Sequence, residues 1–408
     1  MNKSKLILPT PGTRNAILLE RRNLKMARST QSYVRGSTLK FYEWLEAAST
    51  GKMPEGPPIW ICGDCHIGNL GPVANAKGHI DIHIRDFDQT VIGNPIHDVI
   101  RLALSLATAV RDSDLPGVTT VKMLEQLIEG YEQAFDDSGD NMADNEHPHS
   151  VHLALKEASS NSWKHLAKNN TEDVHPSMPL GKRFWPISKS ESKAINTLFA
   201  QKEIARLATV LGSRTDDAAV SVLDAAYWVK GCSSLGQLRY AVILDVDKEV
   251  SKGKDFCLMD IKEANQAAAP RASKVKMPRA YGDRVIEGAR HLSPHLGERM
   301  MASTLMGKSI FIRELLPQDL KLEIGQLKTA ETMITAKYLA SVVGKAHARQ
   351  MDATTQAAWR KELQRNRSKN IDAPSWLWDS IVELVACHEA SYLEHCRSYA
   401  MQIERFKM

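Results

Sequence analysis

Two neighbouring runs that contain aspartate, asparagine and glycine are the most informative part of this sequence for its fold. They are Gly63-Asp64-Cys65-His66-Ile67-Gly68-Asn69 and Ile84-Arg85-Asp86-Phe87-Asp88. The apolar stretch 59–61 predicts a buried strand that delivers Asp64 to a loop. The alternating stretch 80–84 predicts a second strand, which delivers Asp86. Carboxylates therefore follow two short strands within 30 residues of one another.

These residue types suit a site that handles a metal ion and a phosphate. Asn69, Asp86 and Asp88 offer the hard oxygen ligands that Mg²⁺ takes, so they are candidate metal ligands. Asp64 is the candidate to orient an acceptor hydroxyl and take its proton. A lone Asp in a loop is most often a turn residue. The ordered set of Gly-Asp, Gly-Asn and Asp-Phe-Asp is much harder to obtain from turns alone.

Composition limits the class of protein. The chain has 408 residues, of which 43% are hydrophobic and 25% charged, with a net charge of +5. This length favours two lobes, and this composition is globular. The nearest approach to a basic stripe is the loop 271–279, which lacks interleaved aromatics, so nucleic acid is not an expected partner. There is no apolar run of membrane-spanning length and no secretory signal, so we expect a cytoplasmic protein with free thiols.

Periodicity predicts an α+β, helix-rich chain. The patterns indicate helices over 20–48, a Gly/Pro-rich stop over 51–58, and apolar helices over 96–110 and 121–135. The character changes near residue 227, where strand patterns dominate. The chain reads as helical again after residue 326. The order is therefore a helical first part, a strand-rich middle and a helical tail.

The strand-rich middle holds the second set of candidate residues. A Gly/Ser segment between two predicted strands suggests a hairpin that covers phosphates, with candidate binding residues Gly231, Ser233, Ser234 and Gly236. Lys262 ends a predicted strand, as the phosphate-binding lysine of protein kinases does. This resemblance implies that Lys262 binds phosphate, with Glu287 as its candidate partner. Arg239 is a candidate to point toward phosphate. The Gly/Ser segment also fits an ordinary hairpin turn, and Lys262 also fits a surface lysine.

The run 63–69, with Asp86 and Asp98, resembles the signature of aminoglycoside and choline phosphotransferases, distant relatives of protein kinases. The resemblance implies that Asp64 lies at the acceptor hydroxyl and that Asn69 and Asp86 hold metal. The family usually has His before the Gly-Asp pair, where this chain has Cys62. Asp98 opens an apolar helix, where a capping role alone could explain it.

The motif order implies a circularly permuted, protein-kinase-like two-lobe fold. A kinase places its nucleotide-grasping lobe before the catalytic loop, whereas here that lobe follows it. The implied parts are an N-terminal helical segment (1–58), a catalytic-loop and metal-binding part of a helical lobe (59–220), a strand-rich nucleotide-binding lobe (221–325) and C-terminal helices that complete the helical lobe (326–408). The break would fall between the helix containing Gly344 to His347 and residue 59.

The whole layout closely resembles an uncharacterised bacterial family, domain of unknown function 2252. The matching runs are Met26 to Gly36, Gly63 to Ser105, Gly231 to Tyr240, Lys262 to Ala264, Val285 to Arg290 and Gly344 to Arg349. They span most of the chain. The resemblance implies a kinase-like protein but names no substrate.

The function that we expect is an ATP-using, Mg²⁺-dependent phosphotransferase with an unknown hydroxyl acceptor, which we expect to be a small molecule. Two alternatives stay open: a catalytically inactive, nucleotide-binding pseudokinase, and a kinase-fold nucleotidyltransferase. The intact set Asp64, Asn69 and Asp86 argues against the pseudokinase. Label from the α-phosphate in product would identify the nucleotidyltransferase. The sequence predicts neither the acceptor nor the oligomeric state.

Other metal and cofactor patterns are weaker. Cys62 to His66 matches the c-type haem attachment pattern Cys-x-x-Cys-His, but such attachment needs an exported chain. Cys62 and Cys65 lack two further zinc ligands at a matching spacing. The histidines at 147, 149 and 152 lie in a polar stretch and are expected to be solvated.

Overall fold

The computed structural model describes residues 8–48, 53–75, 79–111, 117–136, parts of 148–156, 177–209, 218–246 without 233, 256–315, 329–365 and 373–407. It is 52% helical and 18% strand. The predicted α+β class is therefore confirmed. Within the described residues no helix is long and apolar enough to cross a membrane.

Helices dominate both ends of the chain. They are α1 (Arg14–Met26), α2 (Thr30–Gly36), α3 (Thr38–Ala47), α4 (Ile96–Arg111), α5 (Gly117–Gln133), α6 (Lys189–Phe199), α7 (Lys202–Ala205), α8 (Tyr281–Leu292), α9 (Pro294–Gly297), α10 (Thr329–Ala348), α11 (Ala353–Leu363) and α12 (Ser375–Lys407). The strands are β1 (Ile59–Ile61), β2 (Leu70–Ala74), β3 (Ile80–Ile84), β4 (Val91–Gly93), β5 (Phe184–Trp185), β6 (Val220–Trp228), β7 (Arg239–Val246), β8 (Phe256–Glu263), β9 (Met300–Leu305) and β10 (Lys308–Leu315).

The strand-rich middle forms one antiparallel sheet with the order β5-β6-β7-β8-β10-β9. In its register Lys262 on β8 lies between Arg239 on β7 and Phe311 on β10. Helix α8 joins β8 to β9 and packs on β9 and β10. The sheet also extends beyond the predicted range 221–325, because β5 pairs with β6 through Phe184 and Trp185.

Two small sheets carry the motif loops. β1 pairs with β4, and β2 pairs with β3. Loop 62–69, which ends in a 3-10 turn, joins β1 to β2, and Asp86 and Asp88 lie between β3 and β4. Helix α4 follows β4 and is buried along almost its whole length, including a polar face formed by Asp98, Arg101, Ser105 and Thr108. The loops are thus held between short strands and a central helix.

The C-terminal helices return to the first strands. Gln350 lies just beyond α10, and its side chain accepts a hydrogen bond from the Trp60 N–H at 2.9 Å and donates one to the Trp60 carbonyl at 3.0 Å. Helix α12 packs on the N-terminal helices, where the Tyr392 hydroxyl donates to the Ala27 carbonyl at 3.1 Å. The end of α10 and the start of β1 are therefore neighbours in space.

Candidate functional site

Loop 62–69 adopts a shape that only glycine permits at its second position. Gly63 has φ +73°, and a Cβ there would overlap the backbone oxygen of Gln89. The Tyr42 hydroxyl donates to the Gly63 carbonyl at 2.6 Å. The hydroxyl of Thr90 donates to the carbonyl of Ile61 at 2.6 Å. These contacts fix the backbone on both sides of the turn.

The carboxylate of Asp98 is the main anchor of this loop. It accepts hydrogen bonds from the backbone N–H of Cys62 at 2.7 Å and of Gly63 at 2.9 Å. Nε2 of His347 lies 3.2 Å from the same carboxylate, and both side chains are fully buried. Nδ1 of His347 lies 2.8 Å from the Tyr131 hydroxyl. Asp98 therefore uses its carboxylate on the loop, in addition to its place in the first turn of α4.

Asp64 forms an ion pair inside the helical part of the molecule. Its Oδ1 accepts from Nε of Arg101 at 2.9 Å, and the Arg101 side chain is completely buried. Arg101 also donates to the Val34 carbonyl and lies over the ring of Phe41. Asp64 itself is only 7% exposed. The orientation of this carboxylate is thus set by α4 and, through Val34, by α2.

Asn69 is positioned by the loop that it closes. Its side-chain N–H₂ donates to the Asp64 carbonyl at 2.9 Å. Its own carbonyl accepts from the backbone N–H of Arg85 at 2.8 Å, which joins the loop to the residue before Asp86. The amide oxygen of Asn69 forms no hydrogen bond with any described residue. It is therefore available as a ligand.

Lys262 is brought by the large sheet to the carboxylates of the motif loop. Its Nζ lies 3.3 Å from Oδ1 of Asp86 and contacts Oδ2 of Asp88 more closely. The lysine side chain is 3% exposed, whereas those of Asp86 and Asp88 are 39% and 21% exposed. Residues 176 positions apart in sequence thus meet at one point.

The two carboxylates differ electrostatically. Burial tends to raise the pKa of Asp86, but the charges of Lys262, Arg313 and Arg239 hold it well below its ordinary value. Burial and the Asp86 charge raise the pKa of Asp88 to about 6, although Lys262 opposes this. The Oδ1 atom of Asp88 is buried and has no hydrogen-bond partner in the described residues. That oxygen is an unused ligand position beside a lysine.

Helix α8 holds this loop through Arg284 and not through Glu287. Arg284 is buried, donates to the Asp88 carbonyl at 2.8 Å and also contacts the Thr90 carbonyl. The predicted Lys262–Glu287 pair is not formed. The Glu287 carboxylate lies 3.0 Å from Arg290 on the same helix, while Lys262 contacts Asp86 and Asp88. The reason is that Asp86 and Asp88 already occupy the lysine, and Glu287 lies at the half-exposed edge of α8.

The Gly/Ser segment is a turn that joins β6 to β7. Gly231 and Gly236 both have positive φ, +93° and +98°, which favours glycine. Ser234 is buried, and its hydroxyl donates to a backbone carbonyl within the turn at 3.3 Å. Ser233 lies outside the described residues. The turn lies close to Arg239 on the large sheet: a Cβ added to Gly231 would lie 3.8 Å from the Arg239 guanidinium.

Arg239 lies next to Lys262, but its charge is already paired. Its guanidinium donates to both oxygens of Asp260, at 3.0 and 2.6 Å, and Asp260 is fully buried. Arg313 donates to Asp260 as well, at 3.1 Å. The sequence predicts that Arg239 points toward phosphate. In the structure it instead forms an ion pair with Asp260 within the sheet. The charge of Arg239 still acts at longer range, where it helps to lower the pKa of Asp86.

The donor set fits magnesium better than zinc. Across the described ranges, no group of three or more His, Cys, Asp or Glu side chains is arranged to hold a metal ion. Mg²⁺ takes one or two carboxylates and completes its shell with water and phosphate oxygens. Asp86, Asp88 and the Asn69 oxygen are the candidates to form such a set. Cys62 and Cys65 are buried thiols, and burial lowers the pKa of His66 to about 4. Of the polar-stretch histidines, 147 and 152 lie outside the described residues.

Sequence reasoning missed two residues of this site. Arg101 lies in the apolar run of α4, and a charged residue in such a run is a signal that it has a buried partner. His347 lies on α10, in the helix after which the predicted permutation break falls, but its bond to Asp98 spans 249 positions. No spacing rule predicts a contact of that separation.

Fold and site define an α+β protein in which a sheet lysine meets two loop carboxylates beside an anchored Gly-Asp turn. The model of a family described as "Uncharacterized protein conserved in bacteria (DUF2252)" matches residues 14–398. The chain belongs to this family. Neither curated proteins nor solved structures gave a match.

Proposed function

We propose that this protein is a kinase-like, Mg²⁺-dependent phosphotransferase that uses ATP and acts on a hydroxyl acceptor. The observation that carries the proposal is the meeting of Lys262 with Asp86 and Asp88. A buried lysine, two loop carboxylates and an amide oxygen are the groups that kinases use on phosphates and magnesium. Asp64, in the adjoining loop, supplies the carboxylate for the acceptor.

The order of parts in the strand-rich region supports the kinase-like reading. A Gly/Ser turn joins β6 and β7, Lys262 lies on the next strand, β8, and helix α8 follows. Kinases have the same succession of Gly-rich loop, lysine strand and helix. The Gln350–Trp60 hydrogen bonds place the end of α10 beside the strand that leads into loop 62–69. That neighbourhood is what a circular permutation between α10 and β1 requires.

Each residue then has a defined task. Asp86, Asp88 and Asn69 would hold magnesium, which supplies charge neutralisation at the phosphates when bound. Lys262 holds phosphate oxygens, and its own charge is balanced by the neighbouring carboxylates. Asp64 orients the acceptor hydroxyl and receives its proton, and Arg101 keeps Asp64 in place. The contribution of the protein is chiefly positioning and preorganised charge.

The nucleotide would lie between the large sheet and the helical part, with the Gly/Ser turn over its phosphates. The proposal includes a small molecule as the acceptor and a cytoplasmic location for the protein. The absence of a His before Gly63 does not weaken it, because Asp98, Tyr42 and Thr90 hold that turn through the backbone.

The first test is thermal unfolding with and without Mg-ATP. Binding to the native state should stabilise the wild-type protein by about 2.7 kcal/mol at a hundredfold excess over Kd. Asp86→Asn should lose this shift, and Asp379→Asn, which changes an exposed aspartate on α12, should keep it. A wild-type protein that shows no Mg²⁺-dependent shift with ATP would contradict the proposal.

A second step identifies the reaction. ATP labelled at the γ-phosphate should transfer its label to an acceptor in a screen of hydroxyl compounds, and Asp64→Ala should abolish the transfer. Label that comes only from the α-phosphate, with release of pyrophosphate, would identify a nucleotidyltransferase. Nucleotide binding without any labelled product would identify a pseudokinase.

A further inference from the structure

Arg35 is a cation that the proposed mechanism does not use. It follows Val34, whose carbonyl accepts from Arg101, the partner of Asp64. Its guanidinium lies on Gly68 in the motif loop, where an added Cβ would meet Nη2 at 2.7 Å and Cζ at 2.8 Å. The glycine therefore leaves the space in which this guanidinium sits.

The charge of Arg35 is not compensated by the surrounding protein. Among the described residues none forms an ion pair or hydrogen bond with its guanidinium, and the side chain is only partly buried. Other arginines of the site are paired: Arg101 with Asp64, and Arg239 with Asp260. An arginine held at a loop without a carboxylate partner presents its donor fork to whatever enters.

Lys25 lies near Arg35 and also near a further cation, Arg28. Burial lowers the pKa of Lys25, and the charges of Arg35 and Arg28 lower it further, although Cys232 opposes this. Nζ of Lys25 donates to the Gly231 carbonyl at 2.6 Å. Helices α1 and α2 thus carry a group of positive charges that lies between the Gly/Ser turn and loop 62–69.

A cavity opens beside Lys25 and Arg28, which form part of its wall, whereas Arg35 does not line it. Its volume is about 540 Å³, which is within the range of small-molecule sites. Of the described residues that line it, four are cations and none carries a carboxylate; the cations are Arg21, Lys25, Arg28 and Lys182. Gly231, from the Gly/Ser turn, forms part of its wall. The cavity is therefore electrostatically suited to an anion.

We propose that Arg35, with Lys25 and Arg28, binds an oxyanion group of the acceptor, so that the acceptor is a small hydroxyl compound that carries a phosphate or a carboxylate. This inference rests on the proposed phosphotransferase function. Arg35 adjoins the Asp64 loop, where the acceptor hydroxyl is placed, whereas Lys262, Asp86 and Asp88 serve the nucleotide. Binding the anion at Arg35 would orient the hydroxyl toward Asp64.

The test measures binding of inorganic phosphate by calorimetry. Arg35→Gln should weaken phosphate binding at least tenfold. Gly68→Ala should do the same while it keeps every charge, because the added methyl group displaces the guanidinium. Gly68 is not among the positive-φ glycines, so alanine does not strain the backbone there. This second variant separates loss of the site from loss of the fold.

Two control variants show whether the loss of phosphate binding is specific to Arg35. Arg111→Gln removes the same charge ten residues beyond Arg101 on α4, about 15 Å further along the helix, and should change phosphate binding less than twofold. Lys262→Met should also leave phosphate binding at Arg35 within twofold. Phosphate binding that is lost in Lys262→Met but kept in Arg35→Gln would overturn the proposal. So would a wild-type protein that binds no phosphate.

The two proposals fail in different ways. Arg35→Gln should leave stabilisation by Mg-ATP unchanged, and saturating Mg-ADP should leave phosphate binding intact. If Mg-ATP does not bind but phosphate still depends on Arg35, the anion site stands and the phosphotransferase assignment falls. If phosphate competes with Mg-ADP, Arg35 serves the nucleotide and the acceptor assignment falls. Titration with acetate then tells whether a carboxylate alone is sufficient.

Discussion

Nε of Arg101 lies 2.9 Å from Oδ1 of Asp64, and the arginine side chain of this pair is completely buried. The ion pair ties the motif loop to the centre of α4, and the second donor of Arg101 ties it to α2. Asp64 is therefore held in one orientation before any ligand arrives. Such preorganisation is what a residue that orients an acceptor needs.

Removing Arg101 should be costly. Arg101→Met leaves the Asp64 carboxylate nearly buried and without its partner, and breaking a buried pair in this way costs roughly 3–5 kcal/mol. The unfolding free energy from urea denaturation measures the loss. Arg111→Gln, which breaks a surface ion pair with Glu389, should cost under about 1 kcal/mol. A loss of similar size in both variants would show that the Asp64 pair is not specially important.

The turn at Gly63 should not tolerate alanine. Gly63→Ala adds a Cβ at φ +73° and against the Gln89 carbonyl, so the unfolding free energy should fall by about 2 kcal/mol or more. Stabilisation by Mg-ATP should fall with it, because the same loop carries the candidate magnesium ligand Asn69. Gly117→Ala is the matched control, since nothing lies within 4 Å of a Cβ there. Equal effects of the two substitutions would contradict the strained turn.

Substitutions of Glu287 and of Asp88 should have different effects on nucleotide binding. Glu287→Gln removes a carboxylate that pairs with Arg290 and not with Lys262, so the Kd for Mg-ATP should change less than twofold. Asp88→Asn removes a candidate metal ligand that contacts Lys262, so the Kd should rise at least tenfold. Calorimetry on both variants measures this. A large effect of Glu287→Gln would restore the lysine–glutamate pair that the sequence predicts.

Acid should destabilise the protein partly through His388. Burial, aided by the Arg101 charge, lowers the pKa of this fully buried histidine to about 4. Between pH 6.5 and 4 the unfolded chain therefore binds a proton that the folded protein does not, so stability falls as the pH falls through that window. Between pH 7 and pH 4.5, His388→Leu should reduce this loss by about 2.4 kcal/mol. Urea denaturation at pH 7 and at pH 4.5 tests it, and an unchanged pH dependence would contradict the assignment.

The parts of the site that lie close in sequence could be predicted. Gly63, Asp64 and Asn69 form one loop because a strand, a glycine and a short turn specify it locally. Lys262 at the end of a strand also lies near the motif carboxylates, as the kinase resemblance implies. The α+β class follows from periodicity in the same way. The loop and the single strands are specified by short runs of residues, whereas the approach of Lys262 to the carboxylates is implied only by the resemblance to kinases.

The partners of those residues could not be predicted, because they depend on tertiary packing. Lys262 could pair with Glu287, Asp86 or Asp88 on charge alone, and only the position of α8 excludes the first. Arg239 has the same ambiguity, which the buried Asp260 resolves. The sequence of α2 predicts a helix, but nothing in it indicates that Val34 and Arg35 contact residues of the site.

The bond between Asp98 and His347 has a consequence for how the molecule is made. The two residues are separated by 249 positions, and Trp60 and Gln350 by 290. At 5–20 residues per second, translation takes roughly 12–50 s to pass from Asp98 to His347. During that interval the Gly-Asp loop has been synthesised while one side of its anchor has not. A nascent chain that stops short of residue 347 therefore has all the motif residues of the early loop but lacks one side of its anchor, so the organised site forms only after residue 347 has been synthesised.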